Sequence, residues 1–365
     1  GSTALVLGGN ALANTFYSSA AYGDTLTGGA GNDVFHIYNS AVQVFELAGQ
    51  GTDTIFAHCN YSLGSTTLVE VIHAVGTSGL LLQGNAAANT FHSNAAYGDT
   101  LAGGLGNDTY HIRSTADVVQ ELVYQGTDTL YAYVNFGLAP NLSIEIIHAS
   151  GTQGLALSGN NFANVFHSNA GFADTLAGGA GNDVFHIHHS GDLLIEAAGQ
   201  GLDMLYAYCD YSLAATAVVE ILRAAGTGVQ LAGNGLANQL YSSTGFADSL
   251  SGGAGSDIYH IYHSAAQVFE AANGGTDVLY AYVDFALGAG AQVESLYAAG
   301  PVGLSLTGNE RANIFYSNAA FADTLSGAMG NDTYYVLNAV DQVAELSGGG
   351  TDTIYVGLSY SLAAD

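Results

Sequence analysis

The feature that most constrains this chain is that it repeats itself. The hexapeptides GGAGND (Gly28 to Asp33), GGLGND (Gly103 to Asp108), GGAGND (Gly178 to Asp183), GGAGSD (Gly252 to Asp257) and GAMGND (Gly327 to Asp332) recur at a period constant to within one position. The text between them recurs as well: GNAAANTFHSNAAYGDTLAGG from Gly84 returns as GNNFANVFHSNAGFADTLAGG from Gly159. Such a period signals stacked supersecondary units, each burying its apolar face only against its neighbours. The expected organisation is one continuous solenoid over 1–365, in units 1–75, 76–150, 151–225, 226–299 and an incomplete 300–365. Gly1 aligns with Gly76 and neither end carries a polar capping unit, so the sequence reads as an excerpt of a longer array or a subunit stacked end to end.

Short runs such as DVFHIYN, VQVFEL and DTLYAYVNF are rich in β-branched and aromatic residues, and glycine, asparagine and serine clusters interrupt them every nine or ten residues. No helical period is sustained. With 48% hydrophobic and only 9% charged residues, the chain has enough apolar material for a packed core rather than disorder. An all-β fold built of short strands follows.

The turns indicate its chemistry. In GGxGxD the glycines permit positive φ and let backbone carbonyls converge, while the aspartate adds a carboxylate to the same small space. Candidate cation ligands are therefore Gly28, Gly31 and Asp33; Gly103, Gly106 and Asp108; Gly178, Gly181 and Asp183; Gly252, Gly255 and Asp257; and Gly327, Gly330 and Asp332. A second hexapeptide, AGQGTD in the first copy, adds Gly51 and Asp53, Gly126 and Asp128, Gly201 and Asp203, Gly275 and Asp277, and Gly350 and Asp352. Asp53 follows Asp33 by close to the length of one solenoid coil, so the two turns should stack, with Asn14 in the coil below. Two carboxylates about 4.8 Å apart, the strand spacing, repel by about 3.5 kcal/mol at an effective dielectric of 20. Three arginines cannot relieve this in every copy; Ca2+ can.

Two residues beyond the first aspartate stands Phe35, Tyr110, Phe185, Tyr259 or Tyr334, a large apolar side chain expected to enter the core, which completes GGxGxDxUx. In this pattern the chain resembles the RTX family, the repeat-in-toxin calcium-binding β-rolls of bacterial secreted proteins, in every copy. The resemblance implies a right-handed parallel β-roll, calcium in the turns, type I secretion and an extracellular or cell-surface location. Among the remaining acids, Asp24, Asp99, Asp174, Asp248 and Asp323 sit in turns that have lost the family's glycines, and turn capping is their expected role. Glu46, Glu121, Glu196, Glu270 and Glu345 suit either a cross-link to the second turn's ion or a solvated surface; Glu70, Glu145, Glu220 and Glu294 suggest no site.

Charge and spacing exclude several functions. Thirty-one acidic residues face three basic ones (Arg113, Arg223, Arg311) and no lysine, which rules out nucleic-acid binding and attachment to anionic membranes. No stretch has the length of a transmembrane helix. Some relatives of the family are proteases, lipases or epimerases, but the histidines here form columns, with His36, His111, His186 and His260 at one position and His92 and His167 at another. Members of one column should stand about 19 Å apart, and no nucleophile, base and orienter occur together, so no catalysis is expected. Cys59 and Cys209, two repeats apart, cannot pair, and alternation from Ile55 places Cys59 in the core.

Outward positions form an aromatic stripe: Phe56 and His58, Tyr131 and Tyr133, Tyr206 and Tyr208, Tyr280 and Tyr282, beside His36, Tyr38, His111, His186, His188, His260 and Tyr262. Large exposed aromatic surfaces mark interfaces unless the intervening irregular stretch folds over them. The expected function is a secreted calcium-binding structural repeat protein of an extracellular filament, sheath, surface layer or biofilm matrix. Its expected partners are copies of itself, head to tail and side by side, with extracellular polysaccharide as a further candidate. The alternatives are the stalk of a large RTX adhesin, the calcium-binding tail of a secreted enzyme, or a glycan-binding module.

Overall fold

A computed structural model describes residues 3–272 and 274–362. Among these every regular element is a β-strand, two to four residues long. The chain divides into two compact units, Gly1–Asp183 and Val184–Asp365, a boundary that falls inside the third repeat. Each unit is a parallel β-solenoid.

In the first unit one face is a single sheet of successive parallel strands, beginning Thr15–Tyr17, Val34–Ile37, Thr54–Ala57, Val71–Ala74 and Thr90–His92 and ending at Val165–His167. The second unit repeats the arrangement from Val184–Ile187 to Thr353–Val356. The strand starts Thr15, Val34, Thr54 and Val71 advance by similar steps to Thr90, the counterpart of Thr15 in the next copy, so one repeat is four coils. The stretch that looks irregular in sequence is therefore a coil like the others, paired through Val71–Ala74 on both sides.

Register keeps like with like. Phe35, Ile55, Ile72, Phe91 and Tyr110 are direct neighbours in the ladder and are at most 1% exposed. Strict alternation puts the next residue of each strand outside, the pleat's ordinary consequence. The opposite face is interrupted once per repeat. In the first copy its sheet ends at Gln43–Phe45, and a new one begins at Tyr61–Ser62. The segment that follows covers the interruption: the Thr67 hydroxyl donates to the Val44 carbonyl at 2.7 Å, and the Leu68 N–H donates to the Glu46 carbonyl at 3.1 Å. The Val44 and Glu46 carbonyls at that sheet end are thus paired.

Candidate metal centres and the aromatic face

The turns entering the long sheet bring the two hexapeptides together. The Asn14 N–H donates to Asp33 Oδ1 at 2.6 Å, the Asp33 N–H to Asp53 Oδ1 at 2.7 Å, and the Asp53 N–H to Glu70 Oε2 at 2.8 Å. The ladder recurs through Asn89, Asp108, Asp128 and Glu145, and through Asn238, Asp257, Asp277 and Glu294. In the fifth copy it runs from Asn313 to Asp332 and Asp352. Each side chain caps the backbone of the coil before it, which gives the Glu70 column a role that the sequence did not suggest. In the third copy the Asn164 N–H donates to Asp183 within the first unit and the Asp203 N–H to Glu220 within the second. Asp183, Glu196 and Asp203 are all buried.

Glu46 completes the cluster. Oxygens of Asp33, Glu46 and Asp53 lie within 4.8 Å of one another, and so do those of Asp257, Glu270 and Asp277, and of Asp332, Glu345 and Asp352. Glu46 is only 1% exposed, so of the two roles open to it the solvated one is excluded. The signal lay in its constant place between the two aspartates, nearer the second, which every copy keeps.

The candidate glycines serve two purposes. Gly28 lies 18 residues before Glu46 and donates its N–H to Glu46 Oε1; a Cβ there would overlap that oxygen and Asp33 Oδ2. Gly103, Gly252 and Gly327 hold the same position against Asp108, Asp257 and Asp332. Gly51 has φ 149°, and a Cβ on it would run into the carbonyl of Gly31, itself at φ 109°. Gly106 and Gly126, Gly255 and Gly275, and Gly330 and Gly350 repeat this close stacking. In the third copy Gly181 has φ 124°, Gly178 is buried and Gly201 is exposed.

Asp33 Oδ2, Glu46 Oε2, Asp108 Oδ2, Glu121 Oε2, Asp257 Oδ2, Glu270 Oε2 and Asp332 Oδ2 are buried without a hydrogen-bond donor. Burial pushes Glu46, Asp108 and Asp257 up to about 7, and Asp128, Asp277 and Asp332 up to about 6. Several carboxylates forced together in an apolar setting, with oxygens unsatisfied and glycine leaving a gap, make a donor set that fits a hard divalent cation with oxygen ligands. The Asp24 column differs, because both of its oxygens are occupied. Asp24 accepts from Leu5 and Ser19 at 2.8 and 2.6 Å, and Asp99 from Leu80 and Asn94 at 2.8 and 2.7 Å. These are turn caps.

The outward residues of the long sheet form an aromatic ladder. In the first unit Tyr17, His36, Phe56, His73, His92, His111, Tyr131, His148 and His167 stack one per coil, with centroids 4.2 to 5.1 Å apart. In the second unit the Arg223 guanidinium lies 3.9 Å over Tyr241, and His260, Tyr280, Tyr297, Tyr316, Tyr335 and Tyr355 continue the stack. Side pairs such as Tyr38 with His58 and Tyr262 with Tyr282 flank it. The irregular stretch does not cover this face; it contributes His73, His148, Arg223 and Tyr297 to it.

Two expectations change here. Histidines from different columns interleave, so His73, His92 and His111 stand in consecutive coils with centroids 4.2 Å apart instead of one coil set in four. Their rings are nearly parallel, so their nitrogens do not converge, and the groups of His, Cys, Asp and Glu that do converge among the described residues are the three carboxylate triads. Cys59 and Cys209 are half-buried rather than in the core, because the strand whose alternation pointed Cys59 inward ends at Ala57.

A family model for the RTX calcium-binding nonapeptide repeat (4 copies) matches residues 19–36, 94–109, 158–186, 233–260 and 307–342. These segments include the first-hexapeptide turns or the strands beside them. No curated protein matches the chain.

Proposed function

The chain is an RTX-type β-roll repeat protein, and on that premise we propose that it is a secreted structural protein that folds on calcium outside the cell and assembles side by side through its aromatic face. RTX nonapeptide repeats are calcium-binding motifs, and proteins built on them are typically exported by bacteria. The proposed ligands are the Asp33, Glu46 and Asp53 columns, in which oxygens of Asp33, Glu46, Asp108, Asp128, Asp257 and Asp277 are buried without a hydrogen-bond donor. When bound, calcium supplies the positive charge that offsets their repulsion. The chain's own part is to hold the carboxylates in register through the backbone ladder and to keep the glycine positions open.

The observation that carries assembly is the uncovered aromatic ladder. A row of half-exposed rings along the solenoid face of each unit is the kind of surface that marks an interface. Its rings stack face to face, so tyrosine hydroxyls, imidazole edges and ring edges point outward, a surface that favours a matching copy over a sugar lying flat on a ring. Contacts repeated on successive coils add up even where each is weak. Electron microscopy of the calcium-loaded protein should reveal bundles or sheets that disperse in chelator. Replacing Tyr131, Tyr133, Tyr206, Tyr208, Tyr280 and Tyr282 by serine should abolish side-by-side contact while leaving the calcium-loaded circular dichroism unchanged. Bundling by that variant equal to the parent's would exclude the aromatic face as the interface.

A further inference from the structure

The carboxylate clusters are of two kinds, distinguished by one oxygen atom. In the first copy the core position beside the cluster is Phe35, and Glu46 Oε1 accepts the Gly28 N–H, a bond that Gly103 and Gly252 also make to Glu121 and Glu270, at 2.9 and 2.8 Å. In the second, fourth and fifth copies the same position is Tyr110, Tyr259 or Tyr334, whose rings are fully buried. Sequence pattern classes these tyrosines as apolar core, yet their hydroxyls reach back into the cluster. The Tyr110 hydroxyl accepts the Gly103 N–H at 2.8 Å and donates to Glu121 Oε1; the Tyr259 hydroxyl accepts the Gly252 N–H at 2.6 Å and donates to Glu270 Oε1. The Tyr334 hydroxyl donates to Glu345 Oε1. A Cβ on Gly103 would overlap Asp108 Oδ2, the Tyr110 hydroxyl and Glu121 Oε1 together, so aspartate, phenol and glutamate meet at one point.

We propose that Tyr110, Tyr259 and Tyr334 are positioning residues for the glutamate of each calcium site, and that they divide the sites of this chain into a tighter tyrosine class and a weaker phenylalanine class. The inference rests on the calcium reading above. Glutamate is a long ligand with several rotatable bonds, and fixing it for a metal costs conformational entropy. A phenol anchored by its own ring in the core and by a glycine N–H holds the glutamate in place before the ion arrives, without adding charge to a cluster that already repels itself. Outer partners of this kind commonly change metal affinity by about 10- to 100-fold when removed. Phe35 offers no such donor, so the site of Asp33, Glu46 and Asp53 fills after the tyrosine sites. Calcium uptake is then ordered along the chain by a residue outside the ligand set.

Reciprocal swaps in the full chain test this by calorimetric titration with calcium chloride. Tyr259→Phe should move one ion from the tight to the weak class, with about a tenfold loss at that site, and Phe35→Tyr should move one ion the other way. Gain of affinity on adding a hydroxyl is a result that a merely structural core residue does not produce. In parallel, terbium emission excited through tyrosine should rise with the first equivalents in the parent and lose that early phase in the triple variant Tyr110→Phe, Tyr259→Phe, Tyr334→Phe, whose calcium-loaded circular dichroism stays that of the parent. Unchanged site affinities in both swaps, or shifts in the opposite directions, overturn the two classes while leaving calcium binding intact. A parent that takes up no calcium overturns the calcium reading and this inference with it.

Discussion

Gly103 illustrates how much of the site depends on an absent atom. Its Cα sits where Asp108, Tyr110 and Glu121 converge, and a methyl group there would take the space the three oxygens share. Gly103→Ala should lower the calcium stoichiometry by one ion per chain, read by calorimetry, and destabilise the calcium-loaded protein by about 1–3 kcal/mol, the usual cost of overpacking. The carboxylates also link calcium to protons. Burial raises Glu46, Asp108 and Asp257 to about 7 from an ordinary value of about 4. A raised acid contributes metal-free stability that is complete below about pH 4 and is lost as pH climbs through 7. Over that same window an arriving calcium ion must displace protons. Titrations at pH 6.5 in two buffers of different ionisation heat should therefore report proton release that has vanished by pH 8.5, and equal heats in both buffers would contradict it.

At the scale of strands and turns, the backbone ladder does the holding. Asn89 is 2% exposed; its side-chain amide donates to the Val69 carbonyl at 2.8 Å, its Oδ1 accepts the Asn85 N–H at 3.1 Å, and its backbone N–H donates to Asp108 Oδ1. Asn89→Ala removes the side-chain bonds and leaves buried groups unpaired, an expected loss of about 1–3 kcal/mol in urea denaturation at saturating calcium. The aromatic ladder has its own pH behaviour. Burial in the stack, with neighbouring histidines and Arg113 adding to it, pushes His92 down to about 3; His111 and His260 fall to about 4. A depressed histidine contributes stability that is present above about pH 6.5 and is lost as pH falls towards its folded value, opposite in sign to the carboxylates. A free imidazole responds near pH 6.5; stacking moves the response lower. Histidine resonances followed by NMR at saturating calcium should keep His92 neutral at pH 5, and a midpoint near 6.5 would show that the ring is not held in the stack.

For the whole chain the governing number is a formal charge of −28 with three arginines to offset it. Without metal, self-repulsion opposes compaction, and ions that bind only the folded state reverse the balance by mass action. Small-angle scattering should give a markedly larger radius in chelator than in millimolar calcium, accompanied by loss of the far-ultraviolet β signal. Equal radii in the two conditions would show that the carboxylate clusters tolerate each other unaided.

The sequence by itself determined the period, the parallel stacking of Asp33 on Asp53 and the outward aromatic row, because strand alternation and coil length are local properties that a repeat states several times over. Tertiary pairing decided the rest. The step from Gly28 to Glu46 is 18 residues but that from Asp33 to Asp53 is 20, so the second turn carries two additional residues that place Glu46 outside its hexapeptide, and only coil stacking returns it to the cluster. The stretch around Val71 has no glycine turn to announce a coil, and becomes one because strands on both sides offer it hydrogen bonds. The hydroxyl of Tyr110 reads as part of an apolar residue until the next coil sets a glutamate beside it. In each case the deciding contact joins residues from neighbouring coils, and the chain has to close a turn before that contact exists.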